Sequence, residues 1–174
     1  MKADTSGNEA FGNITFVDSS AVVIQTSAAT DADGELLIDA GTDGAVGGNL
    51  SITATTGNIT QGVALTVTET STFVTSADDA TITLDQANAF NGAVSLNTQG
   101  SSGNATVVDA SGLDLAASTV GGNLTATAAT GNISDSGNLT IAGTSSFTTS
   151  ATDATITLNN ANAFTGTVAL NTTG

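Results

Sequence analysis

The chain has 174 residues, with 16 Asp and Glu against a single cation, Lys2, and a formal net charge of −15. It has no His, Cys, Trp, Tyr or Pro, so most side chains that move protons, attack carbonyls or hold transition metals are absent. One cation cannot replace the counterions condensed on a phosphate backbone, which excludes nucleic acid as a partner, and no apolar run approaches the roughly 20 residues that cross a bilayer as a helix.

Taken in chain order, the predicted elements are short strands. LSIT begins at Leu50, ALTV at Ala64, ATITL at Ala80, AVSLN at Ala93, ATVVD at Ala105 and LDLA at Leu113. Each alternates apolar with small polar residues and is bounded by Gly, Asn, Asp or Ser, the pattern of a half-buried strand between turns. No segment shows a helical period. Val, Ile, Leu and Phe together number only 39, few for a globular core, so a fold has to use each of them inward.

Internal similarity is the strongest signal. Residues 47–100 align without a gap to residues 121–174 at an offset of 74, with 34 of 54 positions identical, among them Leu50 with Leu124, Phe73 with Phe147 and Phe90 with Phe164. An earlier partial copy spans 11–46: GNITFVDSS at 12–20 matches GNATVVDAS at 103–111. It then carries 17 extra residues, about 25–41, before both copies reach VGGNL. An insertion of that size that returns to register implies a coil of about 17 to 19 residues. Four coils per 74-residue repeat follow, with three of about 25 as the alternative.

Equal short strands at a fixed period, without hairpin turns, stack as parallel rungs about 4.8 Å apart. The expected fold is therefore all-β, one elongated parallel β-solenoid over residues 1–174, built from the partial copy 11–46, then 47–120, then 121–174. Seven to nine coils would make a rod of roughly 35 to 45 Å. Leu50, Ile52, Leu65, Val67, Phe73, Ile82, Leu84, Val94, Leu96 and their counterparts in the next long repeat should line the interior.

The pattern GNLT, TGNIT, LTV, F-x-TSA, ATITL, AF-x-G-x-V-x-L, GLDL and STVGGNLT, over about residues 11–174, resembles the repeats of filamentous haemagglutinin-like proteins and giant autotransporter adhesins of Gram-negative bacteria. The resemblance implies a right-handed parallel β-helix, exported unfolded and displayed as a fibre on the cell surface or secreted. No charged segment followed by an apolar one opens the chain, so an export signal is expected outside these residues.

Several residue groups invite a site. Asp31, Asp33, Glu35, Asp39 and Asp43 form the densest acidic cluster. Their spacing fits neither an EF-hand nor a calcium-binding β-roll, and a solvated acidic turn is the expectation. Thr-x-Thr pairs at Thr53/Thr55, Thr66/Thr68, Thr81/Thr83, Thr125/Thr127 and Thr155/Thr157 resemble ice-binding arrays but fall on different strands, where outward Thr is ordinary. Eight Asn-x-Ser/Thr triplets, at Asn13, Asn49, Asn58, Asn104, Asn123, Asn132, Asn138 and Asn171, follow from a repeated turn-then-strand motif. They would carry glycans only in a host that adds them. Asp78 and Asp79 evoke the acids of polysaccharide-cleaving enzymes, yet Asp78 becomes Thr152 in the next copy. Phe73, Phe90, Phe147 and Phe164 suit a core better than a sugar platform.

The expectation is a structural module with no catalytic, cofactor or metal residues and no cofactor. It is part of an adhesin shaft or, alternatively, a self-assembling subunit of an extracellular filament or biofilm matrix fibre. Its partners would be neighbouring repeats or copies of itself end to end, with any host or cell-surface ligand held by other domains, and with neither nucleic acid nor membrane insertion.

Overall fold

The structure is a computed structural model, and it describes residues 2–3, 12–25, 35–38 and 45–174. The first half contains β1 (Lys2–Ala3), β2 (Ile14–Asp18), β3 (Val22–Gln25), β4 (Glu35–Ile38), β5 (Ala45–Val46), β6 (Leu50–Ala54), β7 (Ile59–Gln61), β8 (Thr66–Val67), β9 (Ser71–Asp78) and β10 (Ile82–Phe90). The second half contains β11 (Val94–Gln99), β12 (Ala105–Asp109), β13 (Leu113–Leu115), β14 (Ser118–Val120), β15 (Leu124–Ala128), β16 (Ile133–Asp135), β17 (Leu139–Ile141), β18 (Ser145–Thr152), β19 (Ile156–Thr157), β20 (Ala163–Phe164) and β21 (Val168–Thr173). Among the described residues there is no helix.

Every strand pair is parallel, as expected of stacked rungs. One sheet runs in the order β1-β4-β3-β7-β10-β12-β15-β18-β21. The other runs β2-β6-β9-β11 and then divides into β13-β16-β19 and β14-β17-β20. A short third ladder, β5-β8-β10, closes the first coils. The chain is a parallel β-solenoid. Following one position up the first sheet, Ile59, Ile82, Ala105, Leu124, Ser145 and Val168 stack in order. The residue number rises by 23, 23, 19, 21 and 23 along that file, the same separations that the hydrogen bonds between coils span. Five turns thus run from Ile59 to Val168, against the seven to nine coils expected over residues 1–174, and each uses 19 to 23 residues, more than the size of the insertion implied for most coils.

The same registers replace the expected three or four coils per repeat. Leu50, Ser71, Val94 and Leu115 climb one side of the solenoid in three steps. Leu124, the copy of Leu50, lies half a turn further on, in the opposite sheet. One long repeat thus winds three and a half turns, and successive copies of it face opposite ways. Local pairing is unchanged by the rotation: β6 pairs β9 through Leu50↔Ser71, and β15 pairs β18 through Leu124↔Ser145.

A half-turn period is possible because each coil has one long side and two short ones, and these change places midway. Up to β11 the long side is β2-β6-β9-β11, and β7 with β8 make the short sides. Above it, β13 and β14 both sit on β11, while β12 spans the corner of β10, with a register shift between Leu84 and Asn88. From there β12-β15-β18-β21 is the long side.

Alternation sends every second residue inward. Leu50, Ile52, Leu65, Val67, Phe73, Ile82, Leu84, Val94 and Leu96 are all buried, as the repeat predicts, and so are their copies Leu124, Ala126, Leu139, Ile141 and Phe147. Burying each large side chain contributes about 2 kcal/mol. Phe73 meets Phe90 edge-on at 6.0 Å, and Phe147 meets Phe164 at the same 6.0 Å. The exceptions are the last copies: Ile156 and Leu158 are half-buried, and Val168 and Leu170 are exposed. They belong to the final rung, on which no further described strand stacks.

Of the inserted segment near 25–41, the described strand is β4. It pairs with β3 on the edge opposite to β7, with Ile24 beside Leu36, so its rung lies beyond the amino-terminal coil. β3 contacts β7 directly through Val22↔Ile59.

Candidate functional site: stacked corners, hydroxyl columns and the last rung

The Asn of the recurring Gly-Asn turn has a mechanical role. Its side-chain oxygen accepts a hydrogen bond from a backbone N–H one coil above. Asn13 receives Asn49, Asn49 receives Thr70, Asn58 receives Thr81, Asn104 receives Asn123, Asn123 receives Thr144, Asn132 receives Thr155 and Asn138 receives Ala161, at 2.7–3.2 Å. Seven of the eight Asn-x-Ser/Thr asparagines thus pin one turn to the next. Asn171 instead donates back to the Thr148 hydroxyl at 3.4 Å. These bonds satisfy N–H groups that the strands leave unpaired at corners, where an orphaned donor would weaken the stack.

A second device fills the corner where a coil turns inward. In the first copy Gln61 and Asn88 exchange two amide hydrogen bonds, at 2.8 and 2.9 Å, and the Asn88 oxygen also accepts Leu65 N–H at 2.8 Å. Asn88 is fully buried. In the second copy Asp135 replaces Gln61, and accepts from Asn162 Nδ2 at 2.7 Å and from the N–H groups of Asn159 and Asn160. Burial of Asp135 opposes its ionisation, but these donors together outweigh that and hold its carboxyl below the ordinary range. The Asn162 oxygen accepts Leu139 N–H, as Asn88 accepts Leu65. The two copies align at these positions, but partners 27 residues apart carry no local sign that they meet.

Asp18 and Asp109, equivalent through the partial copy, each fold a turn onto the Ser two residues later. Asp18 Oδ1 accepts Ser20 N–H and Oγ–H, which lowers its pKa, and Asp109 Oδ1 accepts the same groups of Ser111. Asp109 is buried beneath the next coil, and its second oxygen accepts Phe90 N–H at 2.8 Å. These carboxylates are structural caps.

Asp79 adopts a left-handed turn conformation (φ 63°), as does its copy Asp153 (φ 62°), and its Oδ1 accepts Ser102 N–H. Gly100 (φ 77°) lies against Asp79, with no room for a Cβ. Asp79 therefore shapes a corner. Asp31, Asp33, Asp39 and Asp43 lie outside the described residues, and Glu35 begins β4. Among the described residues, no three Asp or Glu gather to hold a metal ion. Phe73, Phe90 and Phe147 are core residues, and Phe164 packs against the core from the last coil.

The Thr-x-Thr pairs do fall on different strands, but stacking assembles hydroxyl columns that join single members of the pairs, Thr83 and Thr125, to residues outside them. Thr60, Thr83, Thr106, Thr125 and Ser146 stand in one outward file on the first sheet. Thr15, Ser51, Thr72 and Ser95 form another on the second. A signal for them was present in the spacing between coils, which the longer repeat period conceals.

Stacked parallel coils, apolar inside, pinned by side-chain ladders and bearing polar files outside, define a β-solenoid repeat protein. The chain belongs to the family of repeats of unknown function DUF5649, which matches residues 26–97 and 102–171. No curated protein matches the chain, and no solved structure matches it.

Proposed function

We propose that this solenoid is a length of shaft in a secreted or cell-surface bacterial adhesin, of the kind its repeats resemble in filamentous haemagglutinin-like proteins. The observation that carries this reading is the uninterrupted parallel ladder from β7 to β21, reinforced at its corners by asparagine bonds along the axis. The role is mechanical and not catalytic: reach, stiffness and presentation of other domains that hold any host ligand. Load along the axis is shared among the backbone bonds of every rung. Sixteen acids against one lysine keep neighbouring shafts apart by repulsion.

Immunogold labelling of the organism that makes the chain, with antibody raised against residues 45–174, tests this. Label on or beyond the outer surface is expected, and label confined to the cell interior overturns the reading. The alternative is a self-assembling subunit of an extracellular filament or matrix fibre, in which copies of the chain stack end to end as coils already do within it. Surface label on filaments that purified chain reproduces by itself would favour it.

A further inference from the structure

The corner between β10 and β11 carries Asn91–Gly92, the one place in the sequence where an asparagine precedes a glycine. The fold sets this asparagine apart from those that hold the stack. The side-chain oxygens of Asn58, Asn97 and Asn104 each accept a backbone N–H of the next coil. The Asn91 side chain is exposed and has no hydrogen-bond partner among the described residues. Its own backbone N–H is anchored on Val67 O at 2.9 Å, but the N–H of Gly92 donates to no acceptor among the described residues. Gly92 also lacks a Cβ to shield its nitrogen, and it lies against Glu69 O with no room for one. An exposed, rotatable carboxamide thus sits beside an unshielded and unpaired amide nitrogen. Because both belong to one dipeptide, ring closure between them needs no encounter of separate molecules.

The second copy keeps this corner without the reagent. Thr165 replaces Asn91, its N–H is anchored on Ile141 O at 3.0 Å, and Gly166 lies against Gly143 O as Gly92 lies against Glu69 O. The corner therefore forms without an asparagine, and the Asn91 carboxamide serves no structural bond.

We propose that Asn91–Gly92 is a self-modification site, at which the chain deamidates in its folded state. The Gly92 nitrogen attacks Asn91 Cγ to form a cyclic succinimide. The Cγ–Nδ2 bond breaks, and the side-chain nitrogen leaves as ammonia with the proton that Gly92 gives up. Water then opens the ring at either carbonyl, which gives aspartate or isoaspartate. Either product adds a negative charge to a chain that already carries −15. Isoaspartate also lengthens the backbone just before Gly92, where the fit against Glu69 has no slack. Ageing therefore loosens the joint between β10 and β11.

Incubating the purified chain at neutral and at mildly alkaline pH, followed by peptide mapping in a mass spectrometer, tests this. The mass gain of an amide turned acid is expected at Asn91 several-fold faster than at any other asparagine. It should be faster at the higher pH, because the attacking nitrogen must lose its proton. Isoaspartate methyltransferase should label the aged chain. Asn91→Thr, which reproduces the corner at Thr165, should fold with the same circular dichroism, abolish both signals and keep its melting temperature on ageing, whereas aged wild type should melt lower. No gain at Asn91, under conditions in which a free peptide of residues 85–97 deamidates, overturns the proposal. So does a gain no faster at Asn91 than at the tied Asn97. Ile133→Ala, which opens a cavity in a later coil, separates folded from unfolded reaction. An unchanged rate at Asn91 is expected, and a rate that climbs with the unfolded fraction overturns reaction in the folded state. Unchanged melting of isoaspartate-bearing chain overturns the loosening of the joint.

Discussion

Residues 47–100 and 121–174 are near-copies that the solenoid uses in different surroundings. Both make the same strand pairs and the same edge-on phenylalanine contact, yet they face opposite ways, and among the described residues only the first is covered on both sides. The comparison separates what a coil owes to its own residues from what it owes to its neighbours. Hydrogen-bond register repeats with the sequence, whereas burial follows position in the stack. Matched substitutions in the two copies therefore measure the stacking contribution directly.

The largest contrast is expected at Leu96 and Leu170. Leu96→Ala removes a fully buried side chain and should destabilise the chain by about 3 kcal/mol in urea unfolding. Leu170→Ala, half of whose surface is already wet, should lose under about 1 kcal/mol. Equal losses would mean that the last rung is covered in solution.

Next come the corner locks. Asn88→Ala orphans Leu65 N–H and Gln61 inside a covered corner, and should cost about 3 kcal/mol. Asn162→Ala, in the half-covered copy, should cost about 1 kcal/mol.

The two locks should also part company with pH. Asp135 has a folded pKa below its unfolded value of about 3.9. Its ionisation therefore contributes stability in full above that unfolded value and loses it as pH falls through the folded one. The stability gap between wild type and Asp135→Asn should be open at neutral pH and close on acidification. Gln61→Ala, at the equivalent position, should show a gap that does not titrate on that account. A gap at Asp135 that stays constant from neutral pH down to pH about 2 would refute the charged lock.

The smallest effect is expected outside. Thr106→Val and Thr125→Val, in the first hydroxyl file, should each change stability by no more than about 0.5 kcal/mol, since they touch solvent and keep a β-branched shape.

Much of the fold was legible from residue order. Alternation in ATITL and ATVVD, with Gly-Asn between, named strands, turns and inward residues, because period two on a strand is a local property. Asn49 or Asn123 could be seen to recur in a turn, but their bonds to Thr70 and Thr144 link residues 21 apart and depend on coil length. The same holds for Gln61 with Asn88, 27 apart, and for the hydroxyl files.

The sequence by itself determined that this chain is an all-β stack of near-identical coils, with an apolar interior, no His, Cys, Tyr or Trp, and a strongly acidic composition. Only the tertiary structure decided that each long repeat takes three and a half turns, that the copies therefore alternate sides, and that β4 sits outside β3. Strand identity is written in neighbouring residues. The length of chain needed to close a coil depends instead on how corners pack against the coils above and below, and one long side exchanged for two short ones shifts that length without changing the alternation within any strand.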